Sequence, residues 1–175
     1  MAELVKQSAP TPEAASESRQ YLTFALAEEM FAVEIRQVRE IIEYENVTTV
    51  PMMPSFVKGV INLRGSVVPV IDLSARFGRG KSEIHRRTCI VIAEVEHEGA
   101  RQELGMVVDA VSEVLEIAAA EIEPPPAFGA RIRADFINGM GKVNGRFVIL
   151  LNADKVLAVE EMAMLTELSG GDDTL

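Results

Sequence analysis

The stretch FVKGVINLRGSVVPVIDL, residues 56–73, decides the fold of this chain of 175 residues. An apolar run leads into the turn Asn-Leu-Arg-Gly at residues 62–65, and a second apolar run follows, which is the pattern of a β-hairpin. The same pattern returns without gaps 80 positions later, in residues 136–152. Its phenylalanine and two glycines fall at equivalent places, Phe56, Gly59 and Gly65 matching Phe136, Gly139 and Gly145.

A second block supports this internal repeat. Residues 33–41 match residues 106–114 in their spacing of apolar side chains and glutamate, at an offset of 73. Two matching blocks in the same order indicate two copies of a β unit, roughly 19–80 and 88–158. Because each copy alone is near the size at which a core is marginal, we predict one cooperative all-β domain of two β-barrels with a groove between them.

The two ends of the chain differ from this β-rich middle. Residues 1–18 are rich in Ala, Ser, Pro and Glu and have no apolar segment typical of a signal peptide, so we expect a disordered arm. Near the other end, Asn152 is a candidate N-cap for a helix over about 153–168, followed by a frayed acidic tail at 169–175. The predicted domain is therefore 19–168.

Composition limits the kinds of partner. The formal charge of −10 disfavours nucleic acid and anionic lipid, so a protein is the expected partner. No apolar run approaches the ~18 residues that span a bilayer, which predicts a cytoplasmic protein without direct membrane insertion. The single Cys89 lies in an apolar run and is interpreted as a small buried side chain rather than a reactive thiol.

The repeat also separates residues that the fold needs from residues that are free to act. Arg64 in the first turn matches Asn144 in the second, and Lys58 matches Asn138, so the turn geometry does not require these cations. The plain alternative is that Arg64 is a solvated turn residue. Asp72 matches Asn152, which predicts that Asp72 caps a short helical turn rather than serving as a catalytic carboxylate.

Several segments resemble catalytic or ligand-binding motifs, but their residues do not have the spacing that those motifs require. Residues 139–145 carry glycines in the wrong spacing for a dinucleotide loop, and a strand follows rather than a helix. Gly80-Lys81-Ser82 resembles the end of a phosphate-binding loop, but Ala75 stands where the earlier glycine is required. His85 and His97 lie in polar stretches with no Cys/His cluster. We therefore predict no enzyme activity, no metal and no cofactor.

Residues 56–73 also resemble the hallmark segment of the CheW-like family, the coupling proteins of chemotaxis. The resemblance extends from about residue 21 to 165 and includes further motifs at 38–41, 107–111, 139–141 and 160–162. It implies two SH3-like five-stranded β-barrels related by a pseudo-twofold axis, with short helices and a C-terminal α-helix. It also implies an adaptor that joins the cytoplasmic tip of a methyl-accepting chemoreceptor to the regulatory domain of the histidine kinase CheA, recruited to membrane-associated receptor arrays.

The resemblance carries specific residues as well. It implies a receptor-binding groove between the barrels, formed by Val38, Glu40, Ile41, Lys58, Asn62, Arg64, Val111 and Val114. It implies a kinase contact at Phe128, although Glu123 stands where a relative carries a basic residue. Two alternatives stay open on the sequence, namely a CheW-like adaptor of another chemosensory pathway, such as pilus motility or development, and a ligand-binding β-barrel.

Overall fold

A computed structural model describes residues 17–124 and 136–170, and in that part the chain is mostly β-structure. The strands are β1 Ser18–Leu26, β2 Glu29–Glu34, β3 Val38–Glu43, β4 Val57–Leu63, β5 Ser66–Asp72, β6 Cys89–His97, β7 Ala100–Val108, β8 Ala110–Ala118, β9 Ile122–Glu123, β10 Ile137–Val143 and β11 Arg146–Leu151. The helices are α1 Leu73–Arg76 and α2 Val159–Gly170, with 3-10 turns at Ile35–Gln37, Ala119–Glu121 and Ala153–Lys155.

The strands form two sheets, which confirms the all-β prediction. One sheet has the order β8-β1-β2-β11-β10-β9 and the other the order β3-β6-β7-β5-β4. The orders correspond strand by strand, including one parallel pair in each sheet, β2 with β11 and β7 with β5. The first sheet has six strands rather than five because residues 122–123 form β9, whose counterpart beside β4 is the single bridge between Thr48 and Val60.

The allocation of strands to barrels differs from the prediction. Residues 19–80 and 88–158 do not form one barrel each, since β1 pairs with β8 and β6 pairs with β3. Each sheet therefore combines the first hairpin of one copy with the later strands of the other. A sequence repeat identifies equivalent segments but not their partners, because the edge of either hairpin offers the same unpaired N–H and C=O groups.

The two hairpins that define the repeat have the same geometry. Each carries a β-bulge near its start, between Val57 and Gly59 in β4 and between Ile137 and Gly139 in β10. Each turns through two residues of positive φ, Arg64-Gly65 at 51° and 89° and Asn144-Gly145 at 51° and 79°. These are the backbone angles of a type I′ turn, so the two glycines occupy equivalent turns, as the repeat predicts.

The core has three parts. A central cluster joins the two sheets and contains four phenylalanine rings in a row, with centroids 6.0, 5.8 and 5.6 Å apart from Phe24 through Phe31 and Phe77 to Phe136. A smaller cluster lies within each sheet. Because the central cluster draws side chains from both sheets, their union in one domain follows from burial of a shared apolar surface.

The C-terminal helix begins later than predicted. Asn152 caps a 3-10 turn, its side chain accepting a hydrogen bond from Asp154 N at 3.1 Å. The α-helix starts at Val159, where the carboxylate of Glu161 accepts from Ala158 N at 2.7 Å, a capping interaction that sets the new start. None of the described helices is long and apolar enough to span a membrane. Residues 1–16 of the predicted arm and 171–175 of the predicted tail lie outside the described residues.

Candidate functional site

Two edge strands, β3 and β8, present matching apolar residues. In β3, Val38 opposes Ala93 and Ile41 opposes Val91, and both of these partners belong to the central core. In β8, Val111 opposes Phe24 and Val114 opposes Leu22 across an equivalent irregularity. A spacing of three places both residues of each strand on one face, because the bulge adds one residue to the two-residue period. The four side chains, Val38, Ile41, Val111 and Val114, are called the apolar seam below.

The apolar seam is partly open to solvent. Ile41 is 41% exposed and Val114 47% exposed, whereas Val38 and Val111 are half-buried against the central core. All four apolar residues of the predicted site thus lie on the core-facing side of an edge strand, although they come from different copies of the repeat. Exposed apolar side chains that adjoin a core are typical of a protein-binding surface.

Cys89 lies at the junction of the two edge strands. It opposes Glu43 of β3, and its half-buried side chain packs against the central core. Burial raises the pKa of the Cys89 thiol and Glu43 adds to this rise, while the backbone N–H of Val111 and the cation of Arg87 lower it by less. Cys89 thus has Glu43 of β3, Val111 of β8 and Arg87 of the segment before β6 as neighbours. A thiol with a raised pKa is a poor nucleophile, which agrees with the structural interpretation of Cys89.

Arg64 and Glu40 form an ion pair beside β3, on the face of that strand opposite to Ile41, because Glu40 opposes Ile92 whereas Ile41 opposes Val91. The Nη2 atom of Arg64 lies 2.6 Å from Oε1 of Glu40, the residue next to Ile41. The carboxylate of Glu40 raises the pKa of the Arg64 guanidinium, which is charged at any physiological pH. Because the arginine side chain is 69% exposed, its outer nitrogens can still donate hydrogen bonds to a partner.

The second copy has no such pair. Glu113 stands at the place of Glu40, but Asn144 stands at the place of Arg64, and these residues line an open groove with Phe147, which is 51% exposed. The apolar seam is therefore nearly symmetric, whereas the ion pair between the turn residue and the strand glutamate is present in the first copy, and the groove of the second copy contains Arg146 instead. This asymmetry distinguishes the two copies of the repeat.

The remaining predicted site residues are Asn62, Lys58 and Phe128. Asn62 accepts a hydrogen bond from Gly65 N at 3.0 Å and so holds the turn that displays Arg64. Lys58 lies at the bulge of β4, half-buried, and no described hydrogen bond or ion pair ties it to Glu40 or Arg64. Phe128 lies outside the described residues. Among residues 17–124 and 136–170, no group of three His, Cys, Asp or Glu side chains could hold a metal ion.

Asp72 and Arg76 have structural partners. The buried Asp72 carboxylate accepts from Ser74 N at 3.1 Å, which caps α1 as the repeat predicts. Arg76, which sequence reasoning did not single out, lies between the rings of Phe56 and Phe136. No local sequence signal marks Arg76, because its partners are distant in the chain.

Comparison with known proteins gives one consistent family. A family described as the CheW-like domain matches residues 20–161. The chemotaxis protein CheW of Klebsiella aerogenes is 35% identical over 147 residues, covering 84% of this chain and 86% of the relative. That of Rhizobium meliloti is 36% identical over 143 residues, covering 82% and 90%. The crystal structure of the scaffolding protein TtCheW from Thermoanaerobacter tengcongensis superposes with a TM-score of 0.74 at 36% identity, covering 83% of this chain and 91% of that one.

Proposed function

The chain belongs to the CheW-like family, and on that premise we propose that it is a non-catalytic chemotaxis adaptor that couples the cytoplasmic tips of chemoreceptors to the histidine kinase CheA. The observation that carries this proposal is the partly exposed apolar seam, together with the exposed Arg64 that pairs with Glu40 of the same edge strand. Such a surface suits recognition of a protein partner. We assign no catalytic group to it.

The proposed receptor contact is a helix packed in the seam. An amphipathic helix presents apolar side chains at intervals of three and four residues, and these can lie along the two valine-rich edges. Arg64 would then donate hydrogen bonds to polar groups at the side of the helix, while Glu40 keeps the guanidinium oriented. We include Lys58 and Asn62 in this surface, Asn62 acting through the turn that it holds.

The proposed kinase contact must lie elsewhere, because an adaptor has to bind both partners at once. Phe128 is our candidate for this second contact, and the partner is the regulatory domain of CheA. Each contact can be modest, since many copies in an array add their binding energies. A shift of the receptor can then bias the kinase between its states through a fixed geometry.

We further propose that the chain itself does no chemistry and works in the cytoplasm at membrane-associated receptor arrays. It should neither hydrolyse ATP nor accept a phosphoryl group when incubated with CheA and radiolabelled ATP. Stable labelling of this chain would contradict the adaptor assignment.

The experiment that tests the proposal measures both contacts in one sample. Purified chain, a receptor-tip fragment and the CheA regulatory domain are combined, and the ternary complex is sought by size-exclusion chromatography. Ile41→Ser should lose the receptor fragment and keep the CheA fragment. Failure of the unaltered chain to bind either fragment would overturn the proposal, as would loss of both fragments from a variant that is still folded.

A further inference from the structure

The loop that joins the two copies of the repeat is basic in an otherwise acidic protein. Residues 79–87, called the linker loop below, read RGKSEIHRR. The linker loop has a formal charge of +3 with His85 neutral, because it contains four basic residues and one acidic residue, Glu83. The basic residues are Arg79, Lys81, Arg86 and Arg87. The whole chain carries −10, and the rest of the chain therefore carries −13. None of these cations is one of the four side chains of the seam described above.

The linker loop is held in place at two points. The fully buried carboxylate of Asp72 accepts from Ser82 N at 2.8 Å and from Ser82 Oγ at 2.7 Å. Near the other end, the hydroxyl of Thr88 accepts from His85 N at 2.9 Å, and Thr88 O accepts from Tyr44 N at 3.3 Å. A loop that is already ordered loses little conformational entropy when it binds a partner.

Three of its cations are free to meet a partner. Arg79 is used internally, in an ion pair with Glu29. Lys81, Arg86 and Arg87 are exposed, and no acidic side chain among the described residues lies within salt-bridge distance of them. Ile84, between them in sequence, is 45% exposed. The linker loop therefore offers both charge and an apolar contact.

The linker loop adjoins the apolar seam. The Cys89 thiol donates to Arg87 O at 3.3 Å, and Cys89 opposes Glu43, two residues after Ile41 on the same face of β3. Along this face Glu43 follows Ile41, and the cation of Arg87 lies near Cys89 beyond it. The linker loop thus adjoins the end of the seam that is marked by Cys89.

We infer that the linker loop extends the receptor-binding surface and binds acidic side chains on the receptor tip, beside its apolar ridge. This inference rests on the proposed function, because it takes the receptor tip as the occupant of the seam. An acidic protein surface fits better than an anionic bilayer, since the −13 carried by the rest of the chain is repelled by such a bilayer. The exposed Ile84 and the position of the loop beside the seam also favour a protein.

The test compares two variants with the same change in charge. Lys81→Gln/Arg86→Gln/Arg87→Gln removes the free cations of the linker loop. Lys142→Gln/Arg146→Gln/Lys155→Gln removes three exposed cations that lie elsewhere. Calorimetric titration with a receptor-tip fragment should give roughly five- to tenfold weaker binding for the loop variant in about 0.1 M salt, and less than twofold for the control. In about 1 M salt, where the Debye length is ~3 Å, the three proteins should converge.

The other outcomes separate the failures. Unchanged binding by the loop variant overturns this inference alone, and so does equal weakening of both variants, which would reflect net charge only. Absence of any binding by the unaltered chain overturns the proposed function together with the inference. Sedimentation with phosphatidylserine-containing vesicles tests the lipid alternative. If the loop variant loses vesicle binding while its receptor binding is unchanged, the linker loop binds lipid and the proposal is overturned.

Discussion

The Nη2 atom of Arg64 lies 2.6 Å from Oε1 of Glu40, and Arg64 occupies a turn position that suits another residue better. Its φ of 51° is in the left-handed region, where asparagine is favoured and arginine is not. The equivalent turn of the second copy has Asn144 at the same φ. Because an exposed ion pair stabilises a protein very little, the pair with Glu40 does not explain the arginine either. Arg64 is thus placed at a conformational cost, which favours a role in binding.

Arg64→Asn should therefore separate stability from binding. The melting temperature should stay within about 2 °C or rise, since asparagine suits the turn. Binding of a receptor-tip fragment should weaken by about tenfold, because interface arginines are common hot spots. The matched control is Asn144→Arg, which places an arginine opposite Glu113 and should leave binding unchanged. A large fall in melting temperature for Arg64→Asn would show that the residue is structural.

Arg76 should be far more important for stability than for binding. Its Cζ lies 5.2 Å from the centre of the Phe56 ring and 4.9 Å from that of Phe136. Its Nε donates to Val156 O at 2.9 Å, and its Nη2 pairs with Glu161 at 2.9 Å. Arg76→Ala should lower the free energy of unfolding by about 3 kcal/mol, and Arg76→Lys by about 1–2 kcal/mol, because lysine cannot make all these contacts.

Urea unfolding measures this difference. Arg101→Ala is the control, since that side chain is 72% exposed and its ion pair with Glu94 is loose, at 3.7 Å. It should change the free energy of unfolding by no more than about 0.5 kcal/mol. Equal effects at the two positions would mean that α2 is not held to the core through Arg76.

The hairpins could be predicted from the sequence because their signals are local. Glycines at fixed places, a bulge and a two-residue turn are all encoded within residues 56–73 and their copy. The exchange of strands could not be predicted in this way. Val38 and Ile41 in β3 have the same spacing as Val111 and Val114 in β8, so either strand could complete either hairpin. Only the three-dimensional path of the chain decides between them.

The candidate site, too, could be predicted from the sequence only in part. The sequence predicted that Arg64 has no role in turn geometry, because its repeat partner differs. The repeat also matches Glu40 with Glu113, which argues against a purely functional role for Glu40. The structure adds that Glu40 pairs with Arg64, whereas Glu113 and Asn144 line one open groove, an asymmetry that depends on contacts between distant residues. The anchoring of the linker loop by Asp72 had no sequence signal, since a serine ten positions away could lie anywhere.

Asp72 should prove structural in a graded series of substitutions. It is fully buried and accepts hydrogen bonds from Ser74 N, Ala75 N, Ser82 N and Ser82 Oγ. Asp72→Ala should lower the free energy of unfolding by about 2–3 kcal/mol, since these donors lose a charged acceptor. Asp72→Asn should cost about 1 kcal/mol, because Asn152 caps the equivalent turn. Chemical denaturation of both variants, with Ser82→Ala as the partial control, checks the order, and an equal cost for Asn and Ala would contradict it.

The apolar seam should divide into residues that bind and residues that support. Ile41→Ser and Val114→Ser change side chains that are 41% and 47% exposed, so the melting temperature should move by no more than about 2 °C. Receptor-tip binding should nevertheless weaken at least about fivefold, because a helix in the seam covers both side chains.

Val111→Ser should instead lower the free energy of unfolding by about 1–2 kcal/mol, since this half-buried side chain packs against the central core. The control is Phe147→Ser, which removes a 51% exposed apolar side chain from the other groove. Binding that falls as much for Phe147→Ser as for Ile41→Ser would mean that receptor recognition does not depend on the seam.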